Sequence, residues 1–327
     1  MKNRRLGNKD LYLSELGVGL WSIITDWWGA DVNKAEEILR KAFELGINFY
    51  DTADSYAEGK GEEILGKVFK TKRDKIVILT KIGIDFYHRE GPRSKLNFEI
   101  DYLEFAFRQS LRRLDTDYVD ILLLHNPKMT NIIDSKIFEF MRSLKKDGYA
   151  RYIGVALGPT LGWGEEGLEA IRMGYEVLEY IYNLIEREPG ETFLKYSNIG
   201  HIVRVPHAND ILYPSKWDKI FEEKSHHRSL KDNNWLKLAL DSTRELYEFC
   251  KRMNIDLAQL AIQFILHNKN VTSVVPNITS IKELEYFVKS VEKEIINNEI
   301  INYLNEYYYK YYKDLNEMSI KETLKYK

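Results

Sequence analysis

Short apolar runs alternate with amphipathic helices along this chain of 327 residues, and the alternation predicts an α/β fold, a (β/α)8 TIM barrel. Polar residues follow the carboxyl ends of several runs, as at Asp51, Lys81 and His125, where parallel barrels present their chemistry. An open doubly wound sheet is the rival fold. No G-x-G-x-x-G follows the first strand, which counts against a dinucleotide fold of that kind.

Each strand is predicted from a short apolar run that is bounded by polar residues or glycine. The strands are Leu16–Leu20, Asn48–Tyr50, Ile76–Thr80, Tyr118–Leu124, Tyr152–Ala156, Val177–Asn183, Ile202–Val205 and Val271–Val275. Helices are predicted at Lys34–Leu45, Gly61–Val68, Phe98–Leu114, Ser135–Lys146, Glu165–Met173, Thr192–Tyr196, Trp235–Met253, Leu257–His267 and Ile281–Lys289. Residues 4–14 predict an N-terminal β-hairpin around a polar turn. Ile295–Lys313 has helical spacing and many tyrosines, and it predicts an extra C-terminal helix that either covers the core or gates a substrate site.

Composition limits the classes of partner. The 48 basic and 50 acidic residues nearly balance, with a net charge of −2, so nothing indicates nucleic acid. The single Cys250 cannot form an internal disulfide and fits a reducing cytoplasm. We see no signal peptide and no apolar run long enough to span a membrane, so we expect a cytoplasmic protein without a membrane partner.

Four polar side chains are predicted to meet at one end of the barrel. Asp51 and Tyr56 follow the second strand, Lys81 ends the third and His125 ends the fourth. A phenol with its reference pKa of ~10 is a poor acid at neutral pH, but a neighbouring cation can favour its ionisation. Taken singly, Asp51 and Lys81 could be a structural ion pair, and Tyr56 could be a packed aromatic residue.

The motifs around these residues resemble the aldo-keto reductases. The run from Gly46 to Tyr56 reads G-x-N-x-x-D-T-A-x-x-Y, and Glu62–Gly66 follows it as in the first signature of that family. The segments 110–114, 117–120 and 122–127 look like the second signature. The likeness extends from about Leu6 to Val288, and we expect residues 1–327 to form a single domain of this type.

The resemblance implies an oxidoreductase that reduces an aldehyde or ketone with hydride from a nicotinamide cofactor. In that scheme Tyr56 donates the proton, Lys81 paired with Asp51 lowers the pKa of the phenol, and His125 orients the carbonyl. NADP is the expected cofactor, with NAD as the alternative, and a small carbonyl compound is the expected partner. The oligomeric state is left open.

The resemblance also implies a set of cofactor contacts, some of them altered in this chain. They are Gly19, Trp21, Asp51, Glu179, Arg204, Pro206, Pro276, Thr279 and Ser280. Many relatives carry Ser and Asn after the fifth strand to hold the nicotinamide carboxamide, but here Ala156 and Leu157 stand there. Glu179 replaces a glutamine and Arg204 replaces a tyrosine that stacks on the nicotinamide. No arginine is evident for the 2′-phosphate, although Thr279 and Ser280 at a helix start can hold a phosphate.

These departures keep two other hypotheses open. One is a non-catalytic or regulatory barrel, like the aldo-keto reductase-like β subunits of potassium channels. The other is a redox-neutral dehydratase that uses the same acid and base. Aromatic residues of the first and third loops either line the pocket or only pack the loops: Trp21, Trp27, Trp28, Phe86, Tyr87 and His88. The histidines His201, His207, His226 and His227 lack the spacing of metal ligands, so no metal site is predicted.

Overall fold

The computed structural model describes residues 1–25, 31–88, 94–221, 231–292 and 296–325. Within them, eight parallel strands form a sheet that curves into a barrel. The strands are β3 (Val18–Gly19), β4 (Phe49–Asp51), β5 (Val77–Ile82), β8 (Val119–His125), β9 (Ala150–Ala156), β10 (Val177–Ile181), β11 (Gly200–Arg204) and β12 (Val271–Val275). Their numbers follow chain order, after β1 (Asn3–Arg5) and β2 (Tyr12–Ser14) and around the short pair β6 (Ile84–Asp85) and β7 (Lys95–Leu96).

The sheet closes on itself between its first and last strands. A parallel bridge joins Leu16 to Val274. The amide of Gly17 donates to the carbonyl of Val274 at 2.9 Å, and the amide of Val274 donates to the carbonyl of Glu15 at 2.9 Å. Closure leaves all eight carboxyl ends at one mouth, which confirms the predicted (β/α)8 barrel.

Helices surround the barrel in the predicted order. The main ones are α2 (Ala35–Glu44), α3 (Lys60–Phe69), α4 (Ile100–Leu114), α6 (Ser135–Lys146), α7 (Gly164–Met173), α8 (Gly190–Phe193), α9 (Asn233–Arg252), α10 (Leu257–His267) and α11 (Ile281–Glu292). Two short helices were not predicted, α1 (Trp21–Ile24) in the first loop and α5 (Met129–Ile132) after β8. Each is a single turn of four residues, too short to show helical periodicity in the sequence.

The N-terminal hairpin closes the end of the barrel opposite the mouth. Strands β1 and β2 pair antiparallel, as predicted. Leu6, Leu11 and Leu13 are buried and join a cluster with inward-facing residues of the barrel strands, such as Phe49 and Val77. This plug removes apolar side chains from water and leaves the mouth as the accessible end.

The C-terminal segment is longer than the predicted helix. It comprises α12 (Asn298–Tyr307), a π-helical turn (Tyr308–Tyr312) and α13 (Lys313–Glu322). Its tyrosines pack on α9: the Tyr312 hydroxyl lies 2.9 Å from Thr243 Oγ1, and the Tyr307 hydroxyl accepts from the Leu246 amide at 3.0 Å. The segment therefore covers the core, the first of the two predicted roles. Of the described residues, no helix is long and apolar enough to cross a membrane.

Candidate active site

Strand polarity and register bring the four predicted residues together at the mouth. Asp51 ends β4, and Lys81 and His125 lie at the carboxyl ends of β5 and β8. Asp51 pairs with Leu79 in the sheet, so Lys81 extends beyond it toward the mouth. Parallel neighbours with this register place the three side chains around one end of the barrel.

The Lys81 ammonium is the centre of this group. Its side chain is only 1% exposed, and it forms a short ion pair with Asp51 Oδ1. It also donates to the carbonyl of Thr52 at 3.0 Å and to the Tyr56 hydroxyl at 3.2 Å. An ammonium has three protons, and these three acceptors use them all. Lys81 thus holds the phenol and the carboxylate in fixed positions.

Tyr56 is positioned by the loop that follows β4. Ala57, Glu58 and Gly59 after it all have positive φ, at 46°, 55° and 90°. Non-glycine residues adopt that conformation uncommonly, and such strain concentrates at functional sites. The turn directs the chain into α3 and leaves the Tyr56 ring between Trp21, at 4.9 Å between centroids, and His125, at 5.8 Å.

The electrostatics of the site differ in part from the expectation. Burial raises the pKa of Tyr56 above its ordinary value, while Lys81 acts in the opposite direction and Asp51 and Glu179 act with burial. The predicted lowering effect of Lys81 on the pKa of Tyr56 is present, but burial outweighs it, so the net pKa of the phenol is raised. Burial would lower the pKa of Lys81, yet Asp51 and Glu179 outweigh it and keep the ammonium charged.

Two further groups of the site have perturbed pKa values. Burial, followed by the charges of Lys81 and Arg204, holds the pKa of His125 well below its usual range, so its imidazole is neutral. Burial and the charge of Glu179 raise the pKa of Asp51 to about 7, against the effect of Lys81. A neutral imidazole carries one N–H donor, which suits it to bind a carbonyl oxygen.

Glu179 and Arg204 extend the charged group to β10 and β11, beyond the intervening strand β9. Glu179 lies in β10, with Oε2 3.3 Å from Lys81 Nζ and Oε1 3.6 Å from Arg204 Nε. Arg204 ends β11 and donates to the carbonyl of Leu157 at 2.6 Å. Two acids and two bases therefore alternate around the mouth, and their charges cancel.

A cavity of about 380 Å³ opens beside these side chains. It is lined by all four predicted catalytic residues and by six of the nine predicted cofactor contacts, of which Asp51 belongs to both sets. The six are Gly19, Trp21, Asp51, Glu179, Arg204 and Pro276. Pro206, Thr279 and Ser280 are not among its lining residues in the described part of the chain.

Thr279 and Ser280 instead form the start of α11. The amide and the hydroxyl of Thr279 donate to Glu283 Oε2 at 2.8 and 2.7 Å. The amide of Glu283 donates to Ser280 Oγ at 3.2 Å, and Lys216 pairs with Glu283 at 2.7 Å. A carboxylate of the chain thus occupies the two donors of Thr279 that the sequence assigned to a phosphate.

Some lining residues were missed from the sequence. They are Asn126, Thr160, Asn209, Lys231 and Asn277, among others. Asn126 and Asn277 directly follow predicted residues, and this adjacency could have indicated them. Thr160 and Lys231 line the cavity and are hydrogen-bonded to the C-terminal part of the chain. The Thr160 hydroxyl shares a hydrogen bond with the Thr323 hydroxyl, and Lys231 donates to Ser319 at 2.7 Å. No sequence signal links these distant residues.

The aromatic residues of the third loop pack on the outside of the barrel. Tyr87 stacks on Phe86 at 4.0 Å and contacts Phe105 of α4 at 5.0 Å. In the described part of this loop, Ile84 and Ser94 are the residues that line the cavity. The packing alternative therefore holds for Phe86, Tyr87 and His88, whereas Trp21 lines the cavity. Trp27 and Trp28 lie outside the described residues.

The buried histidines make hydrogen bonds within the fold. His201 contacts the Tyr180 hydroxyl at 3.1 Å and the carbonyl of Tyr196 at 3.0 Å, and His207 contacts the carbonyl of Ala258 at 3.1 Å. The described residues include no group of three or more His, Cys, Asp or Glu placed to hold a metal ion. His226 and His227 are outside the described part of the chain.

The fold is a barrel with a cluster of polar and charged side chains at its mouth, and comparisons with known proteins show its family. The model of the Aldo/keto reductase family matches residues 15–308, so the chain belongs to this family. The uncharacterized oxidoreductase YqkF of Bacillus subtilis is 30% identical over 316 residues, which cover 94% of this chain and 96% of that protein. The resemblance inferred from the two signatures is confirmed.

Two other proteins are similar to this chain over most of its length. A probable voltage-gated potassium channel subunit beta of Arabidopsis thaliana is 31% identical, covering 89% of this chain and 92% of that protein. The solved structure of aldo-keto reductase AKR11C1 from Bacillus halodurans, in its holo form, has a TM-score of 0.77 at 29% identity. The match covers 94% of this chain and 96% of that one.

Proposed function

We propose that this protein is an NAD(P)H-dependent reductase that converts an aldehyde or a ketone to an alcohol. The observation that carries the proposal is the 3.2 Å contact between the Tyr56 hydroxyl and Lys81 Nζ on the wall of a cavity that His125 also lines. A structural ion pair of Asp51 and Lys81 does not need a phenol and an imidazole at the same cavity. An acid–base reaction on a carbonyl group needs a proton donor and a group that binds the carbonyl oxygen, and the phenol and the imidazole can fill these two roles.

The four side chains have complementary tasks in this reaction. When bound, the reduced nicotinamide supplies the hydride for the carbonyl carbon. Tyr56 donates its proton to the carbonyl oxygen, which contributes about 10²–10⁴-fold in rate. Lys81 stabilises the phenolate that remains, and Asp51 fixes the position of Lys81. His125 donates a hydrogen bond to the same oxygen, worth about 2.7–4 kcal/mol for a well-aimed donor.

The described residues fit a nicotinamide group. Glu179 Oε2 is buried and has no hydrogen-bond partner among them, so it can accept from a carboxamide NH₂. Arg204 is 23% exposed and offers a planar guanidinium at the mouth, and planar guanidinium groups stack on rings. Gly19 and Trp21 line the same cavity. These four residues would hold the ring end of the cofactor, in place of the serine and asparagine that this chain lacks.

The contacts of Glu283 favour NAD over the expected NADP. A 2′-phosphate at the start of α11, where the resemblance implies it, would meet the carboxylate of Glu283 instead of free donors on Thr279. Two anions at one helix start repel each other, although Lys216 offsets part of the charge. A carboxylate can instead accept a hydrogen bond from a ribose 2′-hydroxyl, as it does in other dinucleotide sites.

A second candidate is a binding barrel. The relative described as a probable voltage-gated potassium channel subunit beta supports it. A binding role does not require the four polar groups around one cavity, so the reductase is the proposal that explains more of the site. Balanced charge and the single, buried Cys250 further support a cytoplasmic enzyme of small molecules.

Turnover of a carbonyl compound with bound cofactor separates the two candidates. Trp21 lines the cavity, so NADH or NADPH bound there should quench tryptophan fluorescence, and a panel of aldehydes and ketones should then oxidise the reduced cofactor. Tyr56→Phe should abolish turnover and leave the Kd of the cofactor nearly unchanged. Tyr12→Phe is the matched control, since Tyr12 is exposed on β2 at the far end of the barrel. Cofactor binding without turnover of any carbonyl, equal in both variants, would favour the binding barrel.

A further inference from the structure

The ammonium of Lys81 has more acceptors around it than protons. Its three protons go to Asp51, the carbonyl of Thr52 and the Tyr56 hydroxyl. Glu179 Oε2 is a fourth acceptor at 3.3 Å, and within the described residues it receives no hydrogen bond. A buried carboxylate oxygen in this state competes for a proton of the nearest donor. The Tyr56 hydroxyl, at 3.2 Å, is the neutral and therefore the weakest of the side-chain acceptors.

The barrel keeps Glu179 in this position. Side chains alternate along a strand, so Val177, Glu179 and Ile181 of β10 share one face. Val177 belongs to the cluster inside the barrel and Ile181 lines the cavity, which places Glu179 inward between them. The side chain is 3% exposed, so water screens its charge little.

Among the described residues, five strands and one residue before α9 contribute the charged and titratable groups that line this cavity with Tyr56. The strand residues are Asp51 of β4, Lys81 of β5, His125 of β8, Glu179 of β10 and Arg204 of β11, and the sixth is Lys231, which is paired with Glu186. Lys81 favours ionisation of the phenol, whereas Asp51 and Glu179 oppose it. His125 is neutral. Arg204 offsets part of the charge of Glu179, to which it is joined at 3.6 Å.

We propose that Glu179 is a second counter-ion of Lys81, which weakens the hold of Lys81 on the Tyr56 hydroxyl and so sets the acid strength of the catalytic phenol. Glu179 acts on the phenol both through Lys81 and by its own charge, and in this role it is a positioning residue. Arg204 has the opposite effect, because it draws Glu179 away from Lys81. The inference rests on the proposed function for its catalytic meaning, but its physical content concerns the protein alone.

The size of the effect follows from the distances. The Tyr56 hydroxyl and Glu179 Oε2 both lie within 3.3 Å of the same nitrogen. They are therefore at most about 6.5 Å apart, where one unit charge shifts a pKa by about two units at an effective dielectric constant of ~20. Glu179→Gln removes the charge and keeps the shape, so it should lower the pKa of Tyr56 by about this amount.

A site-specific titration tests the inference without cofactor or substrate. A difluorotyrosine is introduced at position 56 by codon suppression, because its more acidic phenol titrates where the fold is stable, and fluorine NMR follows its ionisation. Glu179→Gln should lower the pKa of this phenol, and Arg204→Met should raise it. Glu15→Gln is the control: Glu15 pairs with Arg4 at 2.7 Å at the closed end of the barrel.

Opposite shifts in the two site variants, with none in Glu15→Gln, support the inference. No shift in Glu179→Gln, or an equal shift in Glu15→Gln, overturns it. If the reductase proposal holds, the alkaline limb of carbonyl reduction, where the Tyr56 phenol loses its proton, should move to lower pH in Glu179→Gln by the same number of units. A phenol shift in a protein that turns over no carbonyl would sustain the electrostatic inference and count against the reductase.

Discussion

Replacing Lys81 should destabilise the fold more than replacing the aspartate that pairs with it. Lys81→Met leaves two buried carboxylates, Asp51 and Glu179, without the cation that lies between them. Asp51→Asn leaves Lys81 with Glu179 as a partner at 3.3 Å. The two variants therefore differ in whether an uncompensated buried charge remains.

The magnitudes follow from this difference. Breaking a buried ion pair so that a charge is left unpaired costs about 3–5 kcal/mol. Replacing one carboxylate by an amide that can still accept a hydrogen bond costs about 1–3 kcal/mol. Lys81→Met should thus lower the free energy of unfolding by about 2 kcal/mol more than Asp51→Asn. The double variant Lys81→Met/Asp51→Asn should recover part of the loss.

The cost of Lys81→Met should also depend on pH. The pKa of Asp51 in the folded protein is about 7, above its ordinary value, and removing Lys81 raises it further. A folded-state pKa above the unfolded value makes stability fall as pH rises between the two values, and below about pH 7 this loss is the same in wild type and variant. Above about pH 7 Asp51 of the wild type is ionised while that of Lys81→Met still binds its proton, so the extra cost of the substitution grows there.

Urea unfolding of the four proteins at about pH 5 and about pH 8, extrapolated linearly to water, measures these differences. Far-UV circular dichroism and tryptophan fluorescence should give the same midpoints if unfolding is two-state. Equal losses in Lys81→Met and Asp51→Asn at both pH values would refute the reasoning, because they would mean that Glu179 is not a partner of Lys81.

Three other outcomes are expected. Glu283→Gln should lower the ratio of the Kd for NADPH to the Kd for NADH about tenfold, or about 1.4 kcal/mol. The control Glu285→Gln, on the same helix, should leave this ratio unchanged. An unaltered ratio in Glu283→Gln would count against a phosphate subsite at that helix start. Arg187→Met should cost about 2–4 kcal/mol in urea unfolding, because this buried guanidinium donates to the C-terminal segment at 2.7 and 2.8 Å and lies between two aromatic rings. The exposed Arg244→Met is its control, and equal midpoints would contradict the role given to the segment. Because the pKa of His125 is held well below 6.5, kcat/KM for carbonyl reduction should show no acid limb near that pH, and a limb there that His125→Gln abolishes would show a charged imidazole.

The sequence predicted the fold and the four central residues because both depend on local patterns. Apolar runs of strand length and amphipathic helices alternate regularly, and the strand Val271–Val275 and the helices Ser135–Lys146 and Leu257–His267 begin and end where they were predicted. In a parallel barrel, strand polarity alone places Asp51, Lys81 and His125 at one mouth.

Local sequence patterns do not predict which side chains from distant strands will be in contact inside the barrel. Glu179 is 98 residues from Lys81 in the chain, and only the closed sheet sets their 3.3 Å contact. The same holds for Thr279, whose donors are taken by Glu283, and for Lys231, which the C-terminal segment holds at the cavity.

The sequence by itself thus determined the architecture, the family and the meeting of four polar residues at the mouth, because each depends on residues near one another in the chain or on strand order. Tertiary structure decided which charged residues surround these four, that Glu283 takes the donors of Thr279, and that the C-terminal part of the chain contacts residues at the cavity. Each of these depends on distances between residues far apart in the chain, and burial then determines how strongly the charges interact.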